Sequence, residues 1–221
     1  MKRIREQIAR QYGRCAVYSR KLDRFNRLPL LHRFAKENAA VPVFETRKAM
    51  WEHLNGLCDG PIDYLEFGVH EGFSILHWAS INRASQSRFF GFDSFRGLPD
   101  TWNDRYPQGH FDVRGHQPNT SDSRITFIAG LFQDTLPRFL KTFVPFEQLV
   151  VHIDCDLYSS CLFCLTQLSS VLKPGTVLIF DEFGDVLHEF KAFHDFLDAY
   201  RRSYEVICSH DSFFTVALRL L

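Results

Sequence analysis

Residues 63–74 read Asp-Tyr-Leu-Glu-Phe-Gly-Val-His-Glu-Gly-Phe-Ser, an apolar run that ends in an acidic residue and two spaced glycines. A helical pattern of apolar residues follows directly, so the segment predicts a strand, a tight turn and a helix. Gly68 and Gly72 allow a sharp turn and let a ligand lie against the main chain with no Cβ in the way. We therefore expect a ligand at the carboxyl end of this strand, although a glycine-rich turn that serves packing alone also fits the pattern.

The next predicted strand narrows the choice of ligand, because its apolar run ends in Asp93. An acidic residue at the tip of the second strand can accept hydrogen bonds from two ribose hydroxyls. The turn lacks the G-x-G-x-x-G spacing of a dinucleotide site, and Glu66 and Glu71 place negative charge where a pyrophosphate would lie. S-adenosyl-L-methionine, which carries a ribose and a cationic amino-acid end, suits this turn better.

Strands and helices alternate from residue 63 onward, which predicts a parallel sheet with helices on both faces. The last two strands are joined by a short turn, so the final strand should run antiparallel. This arrangement is similar to the α/β, Rossmann-like class I methyltransferase fold, with a seven-stranded, mostly parallel sheet and a C-terminal antiparallel hairpin strand. The predicted strands cover 63–69, 88–93, 124–129, 148–154, 176–181, 204–209 and 213–219, and the helices lie near 72–83, 132–142, 158–172 and 187–201.

The N-terminal segment differs from the rest of the chain in charge. Residues 1–50 hold 13 Lys and Arg against 4 Asp and Glu, whereas the remaining residues hold 13 against 22. We interpret residues 1–60 as a basic helical arm or lid, with a helix over Val43–Leu57, and residues 61–221 as the catalytic domain. A basic arm that folds over the acidic body is favoured over contact with nucleic acid or a membrane surface, and the arm could also mediate a homodimer.

Two further features limit the class of protein. No run of about 18 apolar residues occurs, so no membrane span is predicted. The six cysteines show no disulfide framework, and Cys161-x-x-Cys164 has no partner pair that would indicate a zinc site. Scattered unpaired cysteines suit a reducing compartment, so we expect a cytoplasmic protein.

Residues 96–123 interrupt the alternation with a long segment rich in Gly, Pro, Asp, Asn and His. Long loops inside a compact domain are usually functional or disordered. Because this segment leaves the sheet beside Asp93, we expect a lid that faces the substrate, with disorder as the alternative. Trp102 would form an apolar wall for a sugar or aromatic ring, or would anchor the loop.

Two predicted strands are each followed by a pair of carboxylates, Asp154 and Asp156 after one and Asp181 and Glu182 after the next. Both strand ends should lie at the same edge of the sheet as Gly68. Carboxylates this close stay ionised only where a cation neutralises them, and otherwise their pKa values rise. Oxygen ligands suit Mg²⁺, with Mn²⁺ and Ca²⁺ as alternatives, so we expect Asp154, Asp181 and Glu182 to bind a metal. Simple capping of the following helices is the alternative.

The chain resembles the macrocin O-methyltransferase (TylF-like) family in several short segments within residues 62–202. The most specific are Gly91-Phe92-Asp93-Ser94-Phe95-Arg96-Gly97-Leu98-Pro99 and Asp154-Cys155-Asp156-Leu157-Tyr158-Ser159-Ser160. The resemblance implies an O-methyltransferase that depends on S-adenosylmethionine and Mg²⁺. It carries over cofactor contacts at Glu66, Gly68 and Asp93 and metal ligands at Asp154, Asp181 and Glu182.

The turn after the first strand and the ends of its neighbours complete the expected cofactor site. One departure from the family concerns the metal: the family usually has Asp-Asp-Tyr where this chain has Asp181-Glu182-Phe183. Glu is a longer ligand than Asp, so the metal position can shift or the metal can become dispensable. The full set of expected cofactor contacts is Glu66, Gly68, His70, Gly72, Ser74, Asp93, Ser94 and Gly130.

Methyl transfer to a hydroxyl needs a base, since an alcohol is a poor nucleophile until its proton leaves. Catechol-type relatives place a Lys three residues after the first metal-binding Asp, and Leu157 at that position excludes such a base here. Asp154 is the first candidate for the base and Asp156 the second. His110 and His116 of the loop are weaker candidates.

The sequence thus favours an O-methyltransferase acting on a hydroxyl of a small sugar-like or vicinal-diol natural product. A metal-dependent nucleotide-sugar glycosyltransferase is the enzymatic alternative, because Asp154-Cys155-Asp156 could hold Mn²⁺ and a pyrophosphate. A cofactor-binding adaptor that uses the basic arm on RNA or an anionic membrane is the non-enzymatic one. Binding of uridine diphosphate sugars would mark the first alternative, and salt-sensitive polyanion binding the second.

Overall fold

The computed structural model describes residues 21–58, 60–146 and 148–221. Contacts divide the chain into two units, the residues up to Ala39 and Ala40–Leu221. In the first unit, helix α1 occupies residues 21–37. The predicted boundary at residue 60 falls inside the second unit, and the part of the predicted arm before residue 21 lies outside the described residues. No helix in the described part of the chain is both long and apolar enough to span a membrane.

The second unit alternates strands and helices as the sequence predicts from residue 63 onward, with end points shifted by a few residues. Its strands are β1 (Val43–Phe44), β2 (Ile62–Phe67), β3 (Arg88–Asp93), β4 (Ile125–Ala129), β5 (Gln148–Ile153), β6 (Val177–Phe180), β7 (Tyr204–His210) and β8 (Thr215–Leu220). Its helices are α2 (Arg47–Gly56), α3 (Phe73–Ile81), α4 (Phe132–Phe139), α5 (Tyr158–Leu168) and α6 (Glu189–Tyr200).

The start of α2 corrects one prediction, because the expected helix over Val43–Leu57 is shorter. Val43 and Phe44 are extended and pair with β7 instead, adding an eighth strand to the predicted seven. Thr46 then caps the helix, since its hydroxyl accepts a hydrogen bond from the Ala49 N–H at 3.2 Å. Arg47 is consequently the first residue of the helix.

The eight strands form one sheet in the order β1-β7-β8-β6-β5-β2-β3-β4. Strand β8 runs antiparallel to both β6 and β7, and the remaining strand pairs are parallel, as predicted. The chain builds outward from β2 to β3 and β4, then returns to β5 and builds in the opposite direction. Such a reversal leaves a crevice at the carboxyl ends of β2 and β5, where open α/β sheets bind ligands.

Helices cover both faces of the sheet. Neighbouring residues of a strand point to opposite faces, and β6 shows the result. Ile179 belongs to the buried cluster that includes Trp51 of α2 and Trp78 of α3. The next residue, Phe180, contacts Phe193 of α6, with ring centroids 5.2 Å apart. The sheet below the crevice is thus packed between helices on both of its faces.

Candidate active site

The carboxyl ends of β2, β3, β5 and β6 meet at one rim of the sheet. The backbone N–H groups of Gly68, Asp154 and Asp181 donate to carbonyls of neighbouring strands at 3.0, 2.9 and 3.0 Å, so the rim keeps the register of the sheet. A cavity of about 600 Å³ opens there, within the range of roughly 300–1,000 Å³ that is typical of small-molecule sites. The predicted site residues that line it are Gly68, His70, Asp93, Ser94, Gly130, Asp154, Asp156, Asp181 and Glu182.

Gly68 is required by a close approach of two backbone segments. Its φ is +96°, and a Cβ built on it would lie 1.6 Å from the carbonyl oxygen of Asp154. No other residue type fits there unless the chain after β5 moves. The turn at Gly68, which was predicted to accept a ligand, therefore also packs directly against the backbone of Asp154.

Asp93 fastens this turn to the end of β3. Its Oδ2 accepts hydrogen bonds from the backbone N–H groups of Val69 and His70 at 2.7 and 2.8 Å, and its Oδ1 accepts one from Phe95 at 2.7 Å. His70 adopts a φ of +49°, a left-handed conformation that these bonds hold in place. Asp93 lines the cavity and at the same time shapes the loop beside it.

Three of the predicted cofactor contacts, Glu66, Gly72 and Ser74, are not among the residues that line the cavity. The Glu66 carboxylate is fully buried and accepts hydrogen bonds from the Tyr64 hydroxyl at 2.5 Å and the Ser74 hydroxyl at 2.9 Å. Gly72, with a φ of +82°, is the N-cap of α3. Glu66 therefore points into the core, where its carboxylate has two hydrogen-bond partners, and direct contact of Glu66, Gly72 and Ser74 with the cofactor stays a prediction.

The carboxylates after β5 and β6 converge as predicted, but they divide into two groups. One group comprises Asp154, Asp156 and Glu182, and the other comprises His152, Asp154 and Asp181. Within each group the potential ligand atoms lie within 4.8 Å of one another. Asp154 belongs to both groups, so it occupies the centre of the cluster.

Asp181 has two cationic neighbours inside the protein. Arg47 of α2 donates a hydrogen bond to its Oδ2, and the Nε2 of the buried His152 lies 3.8 Å from its Oδ1. Burial acts to raise the pKa of Asp181, but His152 and Arg47 outweigh it and hold that pKa below its ordinary value. Burial likewise acts to lower the pKa of His152, but the carboxylates of Asp181 and Glu66 raise it to about 10.

The other three carboxylates are less well compensated, although His152 acts to lower the pKa of Asp154. Burial, together with the charges of their neighbours, raises the pKa values of Asp154 and Glu182 well above their ordinary range and that of Asp156 to about 7. The Oε2 atom of Glu182 is buried and lacks a hydrogen-bond partner in the described structure. Asp156 holds a left-handed φ of +60°. Strain and uncompensated charge at one place are typical of a functional site.

Glu189 of α6, which the sequence analysis did not single out, holds the two acidic loops together. Its carboxylate accepts hydrogen bonds from the backbone N–H groups of Cys155 at 3.4 Å and Glu182 at 3.0 Å. The side chain is fully buried, and burial raises its pKa well above the ordinary value. An acidic residue in the first turn of the following helix was the only signal for it in the sequence.

The predicted lid over residues 96–123 is folded into defined turns that reach the cavity. Trp102 lines the cavity, donates its Nε1–H to Asp185 at 3.1 Å, and stacks on Tyr106 with ring centroids 5.0 Å apart. It is therefore both a wall and an anchor. His110 and His116, the weaker candidates for the base, are not among the residues that line this cavity.

The fold and the site together define a Rossmann-like methyltransferase. A family model described as "Methyltransferase domain" matches residues 65–183, which is more than half of the chain, and the chain belongs to that family. The matched region contains the turn at Gly68, Asp93 and the carboxylate cluster. Arg47 lies outside it.

Curated relatives are similar over less than two thirds of the chain. The 8-demethyl-8-(2,3-dimethoxy-alpha-L-rhamnosyl)-tetracenomycin-C 4'-O-methyltransferase of Streptomyces olivaceus is 29% identical over 163 residues, covering 61% of this chain and 60% of the relative. The mycinamicin III 3''-O-methyltransferase of Micromonospora griseorubida is 28% identical over 174 residues, covering 65% and 66%. The match thus spans less than two thirds of the length of either relative.

Solved structures share the fold. CalS11, described as a calicheamicin methyltransferase, superposes with a TM-score of 0.62 at 24% identity, covering 78% of this chain and 77% of that one. The structure described as cmcI-D160 Mg-SAM gives a TM-score of 0.52 at 17% identity, covering 79% and 68%. At these identities the likeness concerns the architecture of the sheet and its helices.

Proposed function

We propose that this protein is an S-adenosyl-L-methionine-dependent O-methyltransferase of the TylF-like kind, acting on a hydroxyl of a sugar-like or vicinal-diol small molecule. The observation that carries the proposal is the convergence of the Gly68 turn and a cluster of buried and half-buried carboxylates on one cavity at the switch point of the sheet. The family membership and the names of the curated relatives, which are sugar O-methyltransferases, support the same reading.

The residues on the β2, β3 and β4 side of the cavity fit S-adenosyl-L-methionine. Gly68 leaves the backbone bare, Asp93 offers carboxylate oxygen to hydroxyls, and Gly130 adds a second bare stretch of main chain. His70 and Ser94 complete this side. When bound, the cofactor supplies a methyl group on a positively charged sulfur, and a cavity lined by carboxylates favours such a charge.

The carboxylate cluster fits a divalent cation, with Mg²⁺ as the proposed ion. The test of fit is the buried Oε2 of Glu182, a hydrogen-bond acceptor with no partner in the described structure, next to oxygen ligands of the type that Mg²⁺ prefers. Asp154, Asp181 and Glu182 are the ligands that the sequence predicts. A cation there would lower the pKa of a bound hydroxyl and orient it.

Asp154 is the proposed base, because its carboxylate lies at the centre of the cluster and belongs to both groups of potential ligands. Asp156, whose pKa is raised to about 7, is the second candidate. Either carboxylate would take the proton of the acceptor hydroxyl as the new C–O bond forms. The β5 and β6 loops hold both groups on rigid strand ends, which favours a fixed geometry.

The lid supplies the acceptor side of the site. Trp102, Tyr106 and Phe111 form a run of aromatic rings along the cavity, with 5.0 Å and 5.5 Å between successive ring centroids. Flat apolar surfaces of this kind suit the face of a sugar or an aromatic ring. We propose that this aromatic run positions the acceptor over the carboxylates. A homodimer through the N-terminal arm and a cytoplasmic location stay predictions.

The first experiment is calorimetric titration with S-adenosylhomocysteine, the product form of the cofactor, with and without Mg²⁺. Micromolar binding and thermal stabilisation are expected. A panel of sugar and diol acceptors should then be assayed for methyl transfer with radiolabelled cofactor. Stabilisation by a uridine diphosphate sugar with Mn²⁺, in the absence of any binding of S-adenosylhomocysteine, would replace the proposal with a glycosyltransferase.

A further inference from the structure

We propose that the divalent cation is held by Asp154, Asp156 and Glu182, and that Asp181 serves instead as the partner of Arg47. This inference rests on the proposed function, since it assigns the ligands of the cation in that site. It differs from the ligand set that the resemblance implies, in which Asp181 is a ligand and Asp156 is not. The difference follows from where the protein places its own positive charges.

Asp181 is already neutralised from within the chain. The guanidinium of Arg47 bonds one of its oxygens, and His152 lies 3.8 Å from the other. The Asp181 side chain is only 6% exposed, and although its Oδ1 has no hydrogen-bond partner in the described structure, each of its oxygens faces a cationic side chain. A cation that approached Asp181 would also meet the positive charge of Arg47 at short range.

Asp156 is in the opposite situation. It is 8% exposed, yet none of the described residues donates a hydrogen bond to its carboxylate. It lines the cavity, and an oxygen of this side chain lies within 4.8 Å of ligand atoms of Asp154 and Glu182. Its backbone adopts a left-handed φ of +60°, which is uncommon for a residue that carries a Cβ. A buried carboxylate without a donor needs a cation or a proton.

The balance of charge gives the same answer. The four carboxylates of the cluster have few positive charges beside them, since Arg47 pairs with Asp181 and His152 is shared between Asp181 and Glu66. A divalent ion would offset part of the negative charge that remains. The unpartnered Oε2 of Glu182 adds a ligand atom on the same side as Asp156.

The decisive experiment compares one pair of single variants and one double variant with the wild type, by calorimetric titration with Mg²⁺ or Mn²⁺ and no other ligand. Asp156→Asn should weaken binding at least about tenfold, since even outer-shell partners of metal ligands commonly contribute about 10–100-fold. Asp185→Asn is the matched control, because it removes a charge near Asp156 outside the proposed ligand set, and it should change affinity less than about threefold.

The charge-neutral double variant Arg47→Gln/Asp181→Asn tests the other half of the inference. Removing both partners together leaves the net charge unchanged, so affinity for Mg²⁺ should stay within about threefold of the wild type. A tenfold loss in the double variant, a loss in Asp156→Asn no larger than in Asp185→Asn, or no binding of either ion to the wild type would overturn the assignment.

Two parallel measurements keep these outcomes separate from other failures. Circular dichroism and thermal melts show whether each variant is folded, and the Asp156 and Asp185 pair remains informative if the double variant is not. Titration with S-adenosylhomocysteine tests the proposed function independently. Failure of the wild type to bind it would defeat that function, whereas normal binding together with a lost Mg²⁺ response in the double variant would defeat the ligand assignment alone.

Discussion

Replacing Gly68 by Ala should destabilise the protein and its site more than the same change at a glycine with open space around it. A residue with a Cβ at a φ of +96° incurs roughly 1–2 kcal/mol of backbone strain. The new Cβ would lie 1.6 Å from the Asp154 carbonyl oxygen, so one of the two segments must move by roughly 2 Å to restore a normal contact. Forced repacking of that kind costs about 1–3 kcal/mol more.

Gly175→Ala is the matched control for this change. Gly175 has nearly the same φ, +92°, but a Cβ there would meet no heavy atom within 4 Å. The control should therefore lose only the backbone term of roughly 1–2 kcal/mol, whereas Gly68→Ala should lose about 2–5 kcal/mol in total. In a protein of this size each kcal/mol lowers the melting temperature by about 2–4 °C.

Gly68→Ala and Gly175→Ala should differ more clearly in their affinity for S-adenosylhomocysteine than in their melting temperatures. Displacing the turn and Asp154 by more than about 1 Å should weaken binding of S-adenosylhomocysteine at least tenfold, because site geometry tolerates shifts of that size poorly. Gly175→Ala should bind it like the wild type. Equal melting temperatures and equal affinities in the two variants would refute the argument that the backbone of Asp154 requires a glycine at position 68.

Three further predictions address the carboxylates and the lid. Asp154→Ala should abolish methyl transfer while binding of S-adenosylhomocysteine stays within a few-fold; loss of that binding would place Asp154 in the cofactor site instead. Trp102→Phe removes the hydrogen bond to Asp185 but keeps the ring, so the KM for the acceptor should rise about two- to tenfold, and an unchanged KM would contradict the anchoring role. Because burial and neighbouring charges raise the pKa of Asp156 from 3.8 to about 7, this carboxyl binds a proton below that pH. Calorimetry should then find Mg²⁺ affinity about tenfold lower at pH 6 than at pH 8. With EDTA present to remove metal, protonation of Asp156 should add to the free energy of unfolding. That contribution should be full below about pH 4 and should be lost as the pH rises through 7. A flat profile would be inconsistent with this pKa.

The sheet could be predicted from the sequence because its strands are long enough to leave a pattern. Buried runs such as Leu149–Ile153, each followed by an acidic residue, mark both a strand and its carboxyl end. Strand β1 could not be predicted in this way. It consists of two residues, Val43 is more than half exposed, and the strand forms only by pairing with β7 far along the chain.

The candidate site likewise has a part that could be predicted from the sequence and a part that could not. Residues at strand ends, such as Gly68, Asp93 and Asp154, were placed correctly at the cavity because the topology of a parallel sheet fixes that edge. The direction of a side chain was not predictable. Glu66 turns into the core toward Tyr64 and Ser74, which no spacing rule indicates. The approach of Arg47 to the cluster depends on packing between segments 134 residues apart in sequence.

The antiparallel direction of strand β8 affects which residues of the chain can change the wall of the cavity. Because it runs antiparallel, its first residues lie at the same rim as the last residues of β6, where the Thr215 hydroxyl donates to the Asp181 carbonyl at 3.0 Å and Phe214 lines the cavity. Phe214 and Arg47 both fall outside residues 65–183, the region shared with the family. Substitutions at Arg47 and Phe214 can therefore reshape the wall of the cavity without altering the segment that carries Gly68 and Asp93.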